Sequence, residues 1–245
     1  MKYNTIMGIL VFLFLLNSCN PDFNNVKQKK DINKKTAPKK EGHDKEIKNE
    51  LISNLRNLIE ISNADREKYV KKIEEEPKNQ YGMGVFGMLG WVDAPELISS
   101  NSKRSIEFRK HVYVILNDID TNDLGEFSKI LILSGQGEIL NIFSRLGEFL
   151  DSAIVNLYSK KETLDKLDIS DLEKIKNYFE ELWSIKTVFS KMLSRLVLDY
   201  KNDNDLIKTD TGKLRSYASA ILNQIKGKEI TAEKLRNRIN KIISI

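Results

Sequence analysis

Cys19, His43 and His111 are the only thiol and imidazole groups in the 245-residue chain. A nucleophilic triad needs a histidine base beside its nucleophile. With two histidines and one cysteine, the chain has little to build one from. A lone cysteine also excludes a disulfide framework, and no cysteine–histidine spacing suits zinc. Asp118-Ile119-Asp120-Thr121-Asn122-Asp123 starts like a calcium loop, but the sixth position needs glycine for its turn. Starting instead at Asp120 brings Gly125 into place and puts Leu124 and Leu131 where ligands belong. Acids and bases alternate in Asp65-Arg66-Glu67-Lys68 and Glu173-Lys174-Ile175-Lys176. That pattern reads as surface ion pairs worth roughly a few tenths of a kcal/mol each. His111 lies within an apolar helical stripe and reads as a surface or satisfied core residue. The expectation is no enzyme, no cofactor and no metal.

Cys19 has a different chemistry available. Lys2 precedes an apolar run from Ile6 to Leu16, followed by Leu16-Asn17-Ser18-Cys19. A cation, a short apolar core and small residues form a secretory signal. The run is shorter than the roughly 20 residues a bilayer span requires. The end of the run resembles the lipobox of bacterial lipoprotein precursors, in which the cysteine after the cut carries the lipids. Asn17 departs from the small residue usual at its position. The expectation is therefore a signal peptide over 1–18, lipidation at Cys19, and a membrane partner reached through that anchor. A single acyl chain holds a protein only marginally; the triacylated cysteine that the resemblance implies would hold it firmly.

Charge divides unevenly. The chain is formally +5. Lys2 contributes +1, and residues 20–42 hold seven lysines against three acids, or +4. Residues 43–245 are thus formally neutral. A neutral domain argues against nucleic acid, which asks for a basic patch on a folded face. Residues 19–42 are polar, interrupted by Pro21, Pro38 and Gly42. They lack the apolar surface to offset ordering and read as a disordered, lysine-rich tether.

The domain, 43–245, reads as helix throughout. Ile47, Leu51, Leu55, Leu58 and Ile59 start a helix near Asp44, which weakens at Ser62-Asn63 and resumes to Pro77 as one helix or two abutting ones. Residues 77–101 combine Gly82, Gly84, Gly87 and Gly90 with Tyr81, Met83, Phe86, Met88 and Trp91. They read as a packed inter-helix loop or, alternatively, a lid over a ligand cleft. Helices follow over about 102–119, 122–134 (capped by Thr121) and 138–159, the last striped by Phe143, Leu146, Leu150, Ile154 and Leu157. A capping box at Ser170-Asp171-Leu172-Glu173 opens a long helix to about Tyr200, expected at the bundle centre. Thr209 or Asp210 opens the next, stopped by Gly227. The last starts at Thr231 with Ile230 and Leu235 as a staple. No segment alternates with period two. The fold class is all-α, a single bundle of six to seven helices behind a tether.

Three stretches carry a family likeness: NELISNLRNLIEISNADREKYVKKIEEEPKNQYG, SNSKRSIEFRKHVYVILNDIDTNDLGEFSKIL and LYSKKETLDKLDISDLEKIKNYFEEL. The chain resembles the paralogous outer-surface lipoproteins of Lyme-disease spirochaetes (Borrelia), the group that includes the complement regulator-acquiring surface protein CspA. The resemblance implies a helical bundle exposed on the outer membrane and a role in host interaction, with complement components or plasminogen as partners of some members. It carries over no binding residue. Where the factor H binder dimerises through a long C-terminal helix, this chain has one short helix after Gly227, so a monomer is expected and a dimer stays open. The alternatives are an envelope lipoprotein without a host ligand and a carrier of a small ligand between helices.

Overall fold

The structure is a computed structural model, and it describes residues 38–244. The expected signal peptide over 1–18, Cys19 and most of the expected tether lie outside the described residues. Seven helices make up the domain: α1 (Pro38–Glu74), α2 (Lys103–Ile115), α3 (Leu124–Ser134), α4 (Ile139–Lys160), α5 (Ile169–Lys201), α6 (Thr211–Leu222) and α7 (Lys228–Ile243). Among the described residues the only β pairing is an isolated antiparallel bridge between Gly90 and Leu97.

Periodicity explains the packing. Phe143, Leu146, Leu150, Ile154 and Leu157 form one face of α4 and are all buried. Helix α4 packs against α2 on one side and α7 on the other, while α7 also lies along α5 and α3 pairs with α6. Eleven of the 22 residues of α4 are buried against twelve of 33 in α5. Helix α5 touches α2, α3, α4, α6 and α7, as expected of a central helix, and α4 shares the centre with it, packed closely on α2. Gly147 makes this possible: a Cβ there would lie 2.0 Å from the His111 carbonyl oxygen of α2. Only glycine allows the two helix backbones so close.

The helix limits differ from expectation for local reasons. Helix α1 begins at Pro38, not near Asp44, and proline suits a first turn, where its missing N–H is not needed. It continues unbroken past Ser62, whose hydroxyl is satisfied by the Ile59 carbonyl of the preceding turn. Asp168, not Ser170, caps α5, its carboxylate accepting from the Asp171 amide. Asp120 rather than Thr121 caps the 3-10 turn Thr121–Asp123 that leads into α3. Asp210 caps α6. Helix α7 starts at Lys228, and Ile230 stands 54% exposed instead of stapling the cap.

Side chains fix the direction of each helix. Arg56 of α1 reaches the Lys161 carbonyl after α4, and Arg66 reaches Asp151 within α4, so the two run antiparallel. Arg145–Glu229 and Asn156–Asn240 set α7 parallel to α4. One end of the bundle therefore holds the N-terminal half of α1 and the 161–168 turn. The other holds the 77–101 loop with α3 and α6.

Candidate functional site

The end remote from the start of α1 is built around the 77–101 loop. Gln80, Tyr81 and Gly82 adopt consecutive left-handed conformations, with φ of 52°, 55° and 79°. Such backbone costs about 1–3 kcal/mol per non-glycine residue unless its surroundings enforce it. Here they do. The Gln80 side-chain amide donates to the Ser99 carbonyl at 2.8 Å, and the Tyr81 hydroxyl to the Lys72 carbonyl at 2.9 Å. A Cβ on Gly82 would meet the Gly125 backbone at 3.1 Å, so the loop sits directly on the start of α3. Met83, Val85, Phe86 and Ile98 are buried, and the Val85 amide donates to the Ser128 hydroxyl at 2.9 Å.

Buried charge pins the loop from below. Arg109 of α2 is 1% exposed and grips Glu76 with Nε and Nη2, at 3.0 and 2.7 Å to Oε2. Its Nη1 donates to the carbonyls of Ile98 and Ser100, both at 2.7 Å. The Tyr113 hydroxyl donates to the other Glu76 oxygen at 2.6 Å. The arginine thus ties the loop's two ends to one helix.

A second cluster holds the outer part of the loop. Glu96 accepts from the hydroxyls of Ser100, Ser102 and Ser105 and from Arg104, with Arg104 Nη2 at 2.6 Å. Those hydroxyls first, and then the guanidinium, hold its pKa down to about 2. Trp91 donates to the Ser105 hydroxyl at 2.9 Å, lies edge-on to Phe108 and carries Arg104 4.6 Å above its ring. The segment is therefore a packed loop, as one of the two expectations had it, and its backbone bonds and ion pairs leave no hinge for a lid. Against this fixed frame Met88, Val92 and Leu97 remain exposed, at 64%, 107% and 48%. Two open depressions lie at the other end, one lined by Asn49, Ile52, Arg56 and Asp165, another by Asn156, Lys160, Asn240 and Ile243.

Other sequence-flagged residues have structural work. His111 is half-buried, its Nε2 3.8 Å from Glu107. Burial, and then neighbouring Lys110, pushes its pKa below the ordinary value. His43 is exposed. The acids of 118–123 do not converge: Asp120 caps a turn, Asp123 pairs with Lys201 at 2.7 Å, and Asp118 lies 3.7 Å from Lys186. Among the described residues no group of three or more such side chains is placed to hold a metal ion.

Asp65 and Arg66 correct the expectation of surface pairs. Asp65 is 8% exposed and receives Lys186 of α5 at 2.7 Å and the Asn117 amide at 2.9 Å. Arg66 pairs with Asp151 of α4 at 2.8 Å, which also accepts from Tyr69. Burial alone would raise the Asp151 pKa, but Tyr69, Lys110 and Arg66 outweigh it and hold the group low. A signal for these residues exists: Lys186, Arg109 and Asp151 each interrupt an apolar stripe at helical spacing.

The fold and the surface define a small all-helical module with no catalytic constellation among the described residues and one firmly held, partly apolar loop. The chain belongs to the family described as Borrelia Bbcrasp-1 domain containing proteins, whose model matches residues 70–244. It is similar to the crystal structure of BSE31 from Borrelia (Borreliella) spielmanii, with 47% identity over 78% of this chain and 98% of that one, and a TM-score of 0.75. It shares its fold with the outer surface lipoprotein BBA64 of Borrelia burgdorferi, at 21% identity over 82% and 99% of the two chains and a TM-score of 0.61. It shares it also with the Lyme disease associated outer surface protein BBA65, at 17% identity, 78% and 99% coverage and a TM-score of 0.63. Among curated proteins none matches. The family is a Borrelia one, the fold is shared with the outer surface proteins BBA64 and BBA65, and no described helix is long and apolar enough to cross a membrane.

Proposed function

We propose that the chain is a lipoprotein of the outer membrane, anchored through Cys19 and exposed at the cell surface, whose domain binds a host protein by contact alone. The specific forms of this reading are a complement component or plasminogen. Family membership supports it, and one observation carries it. Met88, Val92 and Leu97 stand in solvent on a loop that two charge clusters hold still. Exposed apolar side chains on a pre-ordered surface lose little entropy on binding, which suits recognition of another protein.

The test is capture from host serum with the domain, beside a Met88→Ser/Val92→Ser/Leu97→Ser variant. Retention of a serum protein by the first and its loss by the second is the expected result. Equal retention by both would remove the loop from the reading, and no retention at micromolar domain would overturn it. Mass spectrometry of the mature chain tests acylation of Cys19. Protease treatment of intact cells tests surface exposure, since a periplasmic lipoprotein would survive it.

A further inference from the structure

The formal neutrality of residues 43–245 hides a division. Residues 208–241, which form α6, the following turn and α7, hold nine basic residues against three acidic, or +6. Residues 43–207 hold 23 against 29, or −6. The two parts also treat their cations differently. Fourteen of the 23 are in ion pairs, and among the described residues none of the nine is. Of the three acids in this segment, Asp210 is taken up by the amides of Gly212 and Lys213, Glu229 faces Arg145 of α4, and Glu233 is exposed and in no ion pair among the described residues.

We propose that the outer face of α7 is a binding surface for a linear sulfated or carboxylated polysaccharide, a site separate from the 77–101 loop and independent of the host-protein reading. Lys234, Arg238 and Lys241 follow one another along one face of α7 and are exposed. At 1.5 Å per residue they are about 6 and 4.5 Å apart along the axis, a row matched to a polymer with regularly placed charges. The Arg238 guanidinium rests 5.3 Å over the Tyr178 ring, which presents it at low entropic cost. Lys228, the first residue of the same helix, is exposed as well.

The chemistry of the surface selects among polyanions. Ile230 is the one large apolar side chain exposed on the hairpin. A membrane-binding helix needs an apolar face to bury among the lipids, and this one has none to spare. Single-stranded nucleic acid is held by stacking on exposed aromatics. Here Tyr217 is half-buried and donates to Asp199 at 2.6 Å. A flexible polymer read by charge alone fits what remains.

The experiment uses the chain from residue 19 with Cys19→Ser, and with the seven tether lysines Lys27, Lys29, Lys30, Lys34, Lys35, Lys39 and Lys40 changed to Gln so that the tether adds no positive charge. It is applied to immobilised heparin at 50 mM salt. Retention is expected, with release as salt rises, because displaced counterions favour rebinding of small ions. Lys234→Ala/Arg238→Ala/Lys241→Ala should lower the affinity at least tenfold. A charge-matched control, Lys129→Ala/Lys166→Ala/Lys191→Ala, should change it less than twofold. Passage of the parent chain without retention would overturn the proposal. So would equal losses in the two triple variants, or equal binding to duplex DNA or to phosphatidylglycerol vesicles.

Discussion

Two regions use the same side chains for opposite ends. Beneath the 77–101 loop, Arg109 is withdrawn from water and spends Nε, Nη1 and Nη2 on Glu76 and two backbone carbonyls. On the outer face of α7, Lys234, Arg238 and Lys241 stand in solvent and pair with no acid among the described residues. A desolvated cation with a fixed partner is committed to the fold, because losing either partner strands a charge in a low-dielectric place. An exposed cation contributes little to folding and stays available to something outside. What separates a structural charge from a binding charge in this domain is therefore its burial and its partner, not its residue type.

The sharpest way to break that contrast is at Arg109. Arg109→Leu leaves the Glu76 carboxylate buried without its cation and frees the carbonyls of Ile98 and Ser100. We expect a loss of about 3–5 kcal/mol in urea unfolding followed by circular dichroism. Combining it with Glu76→Gln should recover part of that loss. A double variant no better than the single one would mean that packing, not the stranded charge, sets the cost. Gly147→Ala probes a neutral contact of similar depth. Its Cβ would strike the His111 carbonyl, and forcing α2 from α4 should cost about 2–3 kcal/mol by the same measurement.

The part of this organisation that local sequence could show is the part set by local periodicity. The stripe of α4 was legible because Phe143, Leu146, Leu150, Ile154 and Leu157 recur at three and four. The interruptions by Arg109, Asp151 and Lys186 were visible as well, but not their partners. Lys186 meets Asp65 from 121 residues away, a pairing that only the packed helices create. Asp65 and Arg66 looked like surface charges because their neighbours in sequence alternate in sign. Helix starts slipped where two residues could cap, as with Asp168 and Ser170. The 77–101 loop had no period to read, since its course depends on Arg109 and on the close approach of Gly82 to Gly125. The cations of the hairpin could be counted from sequence. That none of them has an acidic partner among the described residues is a fact of the fold.

A pH titration sharpens the comparison more gently. Glu96 sits at about 2 in the folded domain against an ordinary 4.5, because serine hydroxyls and Arg104 favour its charged form. A depressed carboxylate contributes stability that is complete above its unfolded value and is lost as pH falls through the folded one. The urea midpoint should therefore fall as pH drops from about 4.5 towards 2. Glu96→Gln should flatten that part of the curve by removing the group that titrates. An unchanged curve in the variant would show that the serine cluster contributes no pH-dependent stability.

The smallest effect is expected on the hairpin, and it completes the contrast. Lys234, Arg238 and Lys241 lie on the outer face of α7, while Ala232, Leu235, Ile239 and Ile243 hold the helix to the core. Replacing the three cations with alanine removes no buried contact and strands no acid. Alanine also favours helix slightly, and the hairpin loses mutual repulsion. Against that stands the stacking of Arg238 on Tyr178, worth about 0.5–1 kcal/mol at an exposed site. These small terms have opposite signs, so the unfolding free energy should stay within about 0.5 kcal/mol of the parent, the range of ordinary surface substitutions. A loss of 2 kcal/mol or more would move these cations into the same class as Arg109 and erase the distinction between the two regions. Unchanged stability together with lost retention on heparin would assign the charges to recognition rather than to folding.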